Sequence, residues 1–282
     1  MAVELPDAGA GDALSTGSVL RPVDRYRAQA SQRLDDHIAE EVPVAFVYND
    51  QPFAVMMATP ADLEDFARGF ALSEGIVEQV DEVSVDSVEH LLEGIEIRMR
   101  IPAPRHAALD SRRRSMSGRS GCGVCGSELL EAALRVPEPV GDGIAIGIAT
   151  LRRSLRELRA GQRLNDRTGA THAAGWADVH GQVTVVREDV GRHNALDKLI
   201  GALARARVDP QSGFIVVTSR ASYEMAMKTA SAGVSLLTAI SAPTALAIAL
   251  AERANLTLIG FARDDGHAVY THARRLLPDT TA

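Results

Sequence analysis

The pattern of apolar and polar positions divides the chain into two regions with different periods. In the first region, Val42–Tyr48 and Phe53–Ala58 are apolar runs that flank Asn49-Asp50-Gln51-Pro52, which predicts a β-hairpin. Residues 95–101 alternate apolar and charged side chains, as a half-buried strand does. With one helix and one further strand between these segments, residues 40–102 predict a small β-β-α-β-β unit.

The helix of this unit has a recognisable start and end. Thr59-Pro60 predicts an N-cap followed by proline in the first turn, and Gly75 predicts the stop. The apolar side chains between them recur at helical spacing; they are Leu63, Phe66, Ala67 and Phe70.

Beyond about residue 150, predicted strands and helices follow one another. Helices are predicted around Leu151–Leu158, Leu196–Leu203, Ser222–Ala232 and Thr244–Arg253. Strands are predicted at 173–178 and 183–187, which form a hairpin around His180-Gly181, and at 214–218, 234–240 and 256–261. Strands that alternate with helices imply right-handed crossovers and a parallel sheet with both faces covered. The fold class is therefore α/β: the small N-terminal unit is followed by an α/β/α domain with a mixed, largely parallel sheet.

Composition places the boundaries between these parts. Residues 1–30 are rich in Gly, Ala, Asp and Ser and predict a disordered tail, which precedes a small α+β domain at 31–102. Residues 103–126 are dominated by Arg, Ser, Gly and Pro and predict a mobile loop. The α/β/α domain is assigned to 127–282.

Charge and hydropathy exclude several classes of protein. The chain has 282 residues and a formal net charge of −7, which argues against a general nucleic-acid binder. No apolar run approaches the roughly 20 residues that span a bilayer, and the first residues do not form a secretory signal. We therefore expect a cytoplasmic protein that binds neither nucleic acid nor membrane. The positive charge is uneven, because one short stretch contains Arg105, Arg112, Arg113, Arg114 and Arg119.

The predicted topology also predicts where a ligand binds. In open α/β sheets, ligands lie beyond the carboxyl ends of the strands. Those ends are Thr218-Ser219-Arg220, Ser241-Ala242-Pro243-Thr244 and Phe261-Ala262-Arg263. Two of them open helices, whose free N–H groups favour anions, and two contain an arginine suited to phosphate. The crevice predicts a phosphorylated ligand, with the alternative that Ser222 and Thr244 are only helix caps.

The two cysteines form a lone Cys-x-x-Cys, Cys122 and Cys125, at the end of the basic loop. A structural zinc site is disfavoured because it needs four ligands and no second pair exists. A dithiol redox centre and a thiolate that accepts and delivers sulfur both fit a cysteine near arginines and a helix N-terminus. The cysteines alone do not decide between them.

Zinc deaminase chemistry is also disfavoured, although the order of strands and helices suits a cytidine-deaminase-like sheet. Such enzymes need His-x-Glu followed by Cys-x-x-Cys. Here His172-Ala173-Ala174 lacks the glutamate, and the cysteines come earlier in the chain.

Several segments together resemble the formate dehydrogenase accessory sulfurtransferases, the FdhD/NarQ family. The longest is Glu188-Asp189-Val190-Gly191-Arg192-His193-Asn194-Ala195-Leu196-Asp197-Lys198. The others are Thr59-Pro60 with Gly69-Phe70 and Glu74-Gly75, Cys122–Gly126, Thr168–His172, Ser219–Ser222, Ser241–Thr244 and Gly260–Arg263. One departure is Ala170, where the family pattern has glycine.

The resemblance implies a fold and an activity. It implies a cytidine-deaminase-like C-terminal domain, a homodimer, and a persulfide on Cys122, assisted by Cys125. A cysteine desulfurase is expected to supply the sulfur. The acceptor is expected to be the molybdenum bis(molybdopterin guanine dinucleotide) cofactor, bound as substrate before it enters formate dehydrogenase. No permanently bound metal is expected.

The resemblance and the topology select overlapping cofactor-binding residues. The family's cofactor-binding stretch corresponds to Phe261, Ala262, Arg263, Asp264, Asp265 and Gly266. The strand ends and the longest matching run add Ser219, Arg220, Ser241, Thr244 and His193. A capping or core role is favoured over proton transfer for His193, and His172 is treated in the same way.

Two functions from other classes remain as alternatives. One is a dithiol oxidoreductase that uses both cysteines. The other is a chaperone that binds the molybdenum cofactor without sulfur chemistry.

Overall fold

The computed structural model describes residues 17–28, 30–109 and 137–278. The first elements are two ten-residue strands, β1 (Ser18–Arg27) and β2 (Ala30–Ala39), which pair along their full length as an antiparallel ribbon. The tail predicted for residues 1–30 is therefore wrong for 18–27. In the ribbon, Val19 and Val23 of β1 lie opposite Ile38 and Leu34 of β2, so these four apolar side chains share one face. Residues 1–16 lie outside the described residues.

The β-β-α-β-β unit is confirmed. It consists of β3 (Val42–Tyr48), β4 (Gln51–Ala58), α1 (Leu63–Ser73), β5 (Ser84–His90) and β6 (Ile95–Arg100). The four strands form one sheet in the order β4-β3-β6-β5. The loop predicted from residue 103 is wrong at its start, because 103–109 are helical. The remainder, 110–126, lies outside the described residues.

Helix α1 covers this sheet with phenylalanines. Phe46 of β3 stacks on Phe70 at 4.6 Å between ring centroids and meets Phe66 edge-on at 5.0 Å. The N-cap predicted at Thr59 is wrong, since Asp62 precedes the first helical residue. Thr59 is fully buried instead, where its hydroxyl accepts a hydrogen bond from the N–H of Val190.

The second half begins with the short strand β7 (Ile146–Gly147) and follows the predicted alternation. The remaining elements, in chain order, are α2 (Ile148–Gly161), α3 (Arg163–Thr168), β8 (His172–Asp178), β9 (Val183–Asp189), α4 (Arg192–Arg205), β10 (Gly213–Val217), α5 (Tyr223–Ser231), β11 (Leu236–Ala239), α6 (Ala245–Arg253), β12 (Thr257–Arg263), β13 (Gly266–Thr271) and β14 (Leu276–Leu277). Strand β13 has no counterpart in the sequence-based prediction.

Six of these strands form a mixed sheet in the order β13-β12-β11-β10-β8-β9. Strands β10, β11 and β12 are parallel, whereas β8, β9 and β13 join by antiparallel pairing. The predicted hairpin of β8 and β9 is confirmed. The parallel part is smaller than predicted, because β13 closes the other side of the sheet as a second hairpin with β12.

Alternate residues of the central strands enter two different cores. Ile215 and Val217 pack with α4, α5 and α6 on one face, whereas Phe214 and Val216 pack with α2 on the other. This confirms the α/β/α layers. In the described part of the chain, no helix is long and apolar enough to cross a membrane.

Candidate functional site at the carboxyl edge

The structure brings the three predicted strand ends together. The N–H of Ile240 donates to the carbonyl of Val217, and the N–H of Phe261 donates to the carbonyl of Ser241. Ala221 and Pro243 form a parallel bridge between the first two ends. These contacts connect the three chain segments that follow the strands. Along the carboxyl edge of the sheet they therefore place Ser219, Arg220, Ser241, Thr244 and Arg263.

The third strand end is a turn between β12 and β13. Arg263 pairs with Gly266, so Asp264 and Asp265 are the two turn residues. Phe261 has φ of 50° and is 47% exposed, while Ala262 points into the core. An exposed phenylalanine in the left-handed region is uncommon, and such strain is found most often at functional sites.

Helices α4, α5 and α6 all begin at this edge. Thr244 caps α6, because its hydroxyl accepts a hydrogen bond from the N–H of Ala247. The hydroxyl of Ser222, at the start of α5, makes no cap bond and is buried without a hydrogen-bond partner. Arg192, in the first turn of α4, likewise has a buried Nε without a partner. Free donors at helix N-termini favour an anion.

His193 lies between two of these N-termini. Its Nε2 is 2.7 Å from a carboxylate oxygen of Glu224, in the first turn of α5. Burial lowers the pKa of His193, and the Glu224 carboxylate opposes this effect. Burial also lowers the pKa of His172, at the start of β8, and Arg192 lowers it further. Both histidines therefore favour the neutral form. Glu224 and Arg192 were not predicted as site residues; their signal is their position just after a predicted strand end.

The predicted catalytic residues, Cys122 and Cys125, lie outside the described residues. The chain resumes at the opposite, amino edge of the sheet. There the N–H of Val140 donates to the carbonyl of Ala254, just before β12, and Nδ2 of Asn255 donates to the carbonyl of Val140. The described residues contain no group of three or more His, Cys, Asp or Glu side chains arranged to hold a metal ion.

Helix α4, which begins within the run of residues 188–198, joins the two halves of the molecule. Helix α4 crosses α1 at Gly201 and Gly69. A Cβ atom on Gly201 would lie 2.8 Å from the backbone nitrogen of Gly69 and would overlap the carbonyl of Asp65. The two glycines therefore allow the helix backbones to touch.

A buried ion pair lies on either side of this crossing. Lys198 and Asp189 are both fully buried, with their charged atoms 2.7 Å apart. The ammonium of Lys198 also donates to the carbonyl of Thr59, and Asp189 accepts the N–H of Thr59. Asp189 further accepts the N–H of Gly191, so it orders the turn that leads into α4. Burial lowers the pKa of Lys198, and Asp189 opposes this.

The second pair joins α1, α4 and α5. The Lys228 ammonium lies 3.0 Å from Asp197 and 2.7 Å from Glu74 of the N-terminal unit. Burial disfavours the charged form of Lys228, but Asp197 and Glu74 outweigh it and raise the pKa of the lysine. Asp189 and Asp197 thus each pair with a buried lysine.

A third contact between the halves surrounds Asp65 of α1. Its carboxylate accepts hydrogen bonds from Arg187 and Arg205 of the second half. Burial raises the pKa of Asp65, but the hydrogen bonds from the two arginines outweigh it, so the pKa is lowered. These contacts fix α4, and with it the N-terminus that carries Arg192 and His193, against the N-terminal unit.

These features define a class: a two-part protein in which an α/β/α domain is locked to a small α+β unit and presents helix N-termini and arginines at its carboxyl edge. Comparison with known proteins identifies the family. The FdhD/NarQ family model matches residues 39–277, and the chain belongs to this family.

Individual relatives agree over nearly the whole chain. A protein named sulfur carrier protein FdhD from Xanthomonas euvesicatoria pv. vesicatoria (strain 85-10) is 61% identical over 260 residues, 92% of each chain. A protein of the same name from Cupriavidus necator is 50% identical over 276 residues, 97% of this chain and 95% of the relative. A crystal structure assigned as a formate dehydrogenase accessory protein from Desulfotalea psychrophila superposes with a TM-score of 0.71. It is 25% identical and covers 92% of this chain and 99% of its own.

Proposed function

We propose that this protein is a sulfur carrier for the maturation of formate dehydrogenase. It receives sulfur from a cysteine desulfurase as a persulfide on Cys122, and it transfers that sulfur to the bis(molybdopterin guanine dinucleotide) molybdenum cofactor, which is its substrate. The names of the relatives support the sulfur-carrier role. The homodimer implied by the family resemblance is part of the same proposal.

The carboxyl edge is the observation that carries the cofactor part of this proposal. Guanine dinucleotides present phosphates, and the edge offers Arg220 and Arg263, both exposed, beside the N-termini of three helices. The unpartnered Arg192 Nε and Ser222 hydroxyl are donors that no described residue satisfies. The edge therefore fits the phosphorylated ends of the cofactor.

The chemistry of the carrier is a transfer of one sulfur atom in two steps. The Cys122 thiolate attacks the desulfurase persulfide, so an S–S bond forms at Cys122 as the bond in the donor breaks and the donor leaves as a thiolate. In the second step the S–S bond of the Cys122 persulfide breaks: the outer sulfur passes to the cofactor, which as the acceptor supplies the electron pair of the new bond, and Cys122 leaves as a thiolate. The arginines near Cys122 in the sequence favour its thiolate form.

Intact-mass spectrometry after incubation with a cysteine desulfurase and cysteine tests the carrier role. The wild-type protein and Cys125→Ala are expected to gain the mass of one sulfur, reversibly with a thiol, and Cys122→Ala is expected to gain none. A loss of the mass of two hydrogen atoms without a gain of sulfur, as a disulfide between Cys122 and Cys125 produces, would instead support the dithiol oxidoreductase. Full formate dehydrogenase maturation by Cys122→Ala would support the chaperone.

Binding of GDP, a fragment of the cofactor, tests the carboxyl edge. Arg220→Gln and Arg263→Gln are each expected to weaken GDP binding by about tenfold, because each removes a charge-assisted phosphate contact. Isothermal titration calorimetry measures this. Arg207→Gln is the matched control, since Arg207 lies after α4 at the amino edge, 3.2 Å from Asp81, and should bind GDP normally. Unchanged affinity in both edge variants would contradict the assignment.

A further inference from the structure

The β1–β2 ribbon is long, and the described part of the chain covers little of it. It forms a separate two-stranded sheet, so its outer edges have no strand partner within the described residues. Helix α3 packs against β2, and its Leu164 lies beside Gly17, the residue that precedes β1. Three large apolar side chains on the ribbon are exposed: Tyr26 by 77%, Leu20 by 56% and Ile38 by 42%. An isolated two-stranded hairpin is at best marginally stable in water, so such a ribbon calls for a third strand or a cover.

The two edges differ in how well they accept another strand. Strand β1 contains Pro22, which lacks an N–H, and three arginines, a composition that discourages edge pairing. Strand β2 has no proline, and its centre reads Arg33-Leu34-Asp35. Of the two edges, β2 is therefore the one suited to accept a strand.

The centre of β2 is complementary to itself. When a strand pairs antiparallel with its own copy about a two-fold axis through Leu34, Arg33 lies opposite Asp35 of the other copy, and Asp35 lies opposite Arg33. Directly opposed residues point to the same face, so both ion pairs form on one face and the two leucines meet on the other. Because the axis produces each pair twice, the charge pattern selects a second copy of this chain rather than an unrelated strand.

We propose that β2 is the homodimer interface: the β2 strands of two copies pair antiparallel about Leu34 and join two ribbons into a four-stranded sheet. This inference rests on the homodimer in the proposed function but not on sulfur transfer. It also lies outside the family match, which begins at residue 39.

Charge reversal of the full chain tests this interface. Sedimentation velocity over a dilution series in low salt is expected to show a dimer for the wild type. Arg33→Asp or Asp35→Arg alone places like charges opposite each other twice, so the dimer Kd is expected to rise about tenfold or more. The double variant Arg33→Asp/Asp35→Arg, and an equimolar mixture of the two single variants, should recover the dimer.

The matched control is Arg27→Asp, which makes the same charge change on β1 and should leave the dimer Kd unchanged. Circular dichroism checks that each variant folds, and sulfur loading by mass spectrometry reports on the carrier role separately. A monomeric wild type would overturn the proposal. So would a dimer that Arg33→Asp and Asp35→Arg leave intact, or a double variant that remains dissociated.

Discussion

Replacing Gly201 with valine is expected to lower the free energy of unfolding by about 3 kcal/mol or more. The new side chain would collide with backbone atoms of α1, at Asp65 and Gly69, and no change of rotamer relieves such a collision. Helices α1 and α4 would have to separate, which would also stretch the buried contacts of Lys198 and Lys228. Urea denaturation followed by fluorescence of the single tryptophan, Trp176 in the core of the second half, measures the change.

Gly201→Ala separates packing from helix propensity. Alanine stabilises a helix interior by up to ~1 kcal/mol relative to glycine, so propensity alone predicts a gain in stability. We expect a net loss, because overpacking against backbone costs about 1–3 kcal/mol. Gly161→Ala is the control, since the atoms nearest to a Cβ there belong to the side chain of Val186 rather than to a helix backbone. A gain in stability for Gly201→Ala would show that the helices are not in backbone contact.

Elements with a strong period could be predicted from the sequence, whereas those set by long-range contacts could not. The helix around Leu196–Leu203 and the strand at 214–218 follow from local spacing, and the structure places α4 and β10 there. The β1–β2 ribbon was missed because its alternation carries charges on both faces and resembles a polar tail. Strand β13, GHAVYT, was missed because it directly follows a predicted ligand loop, whose residues Asp264 and Asp265 form the turn that pairs it with β12.

At the candidate functional site, too, some features could be predicted from the sequence and others could not. The strand ends at Ser219, Ser241 and Phe261 could be located from topology, because parallel strands end at one edge of a sheet. The structural role of residues 188–198 could not, because the partners of Asp189 and Lys198 include Thr59, more than a hundred residues earlier in the chain. A lysine on an otherwise apolar helix face is the only local signal of such a buried pair.

The buried ion pair of Lys198 and Asp189 is expected to contribute strongly to the stability of the protein. Lys198→Met is expected to lower the free energy of unfolding by about 3–5 kcal/mol, because it leaves the Asp189 carboxylate buried without its cation. Urea denaturation followed by the fluorescence of Trp176 measures the loss.

The double variant Lys198→Met/Asp189→Leu separates the pair from its surroundings. Removing both charges is expected to cost less than the sum of the two single changes, with a coupling of about 1–3 kcal/mol, because neither charge is left unpaired. Arg207→Met is the control: its ion pair with Asp81 also joins the two halves but is mostly exposed, so its loss should cost less than about 1 kcal/mol. Additive effects at Lys198 and Asp189 would mean that their charges do not interact. The longest run shared with the family would then need an explanation at the carboxyl edge, where it places Arg192 and His193, rather than at the junction of the two halves.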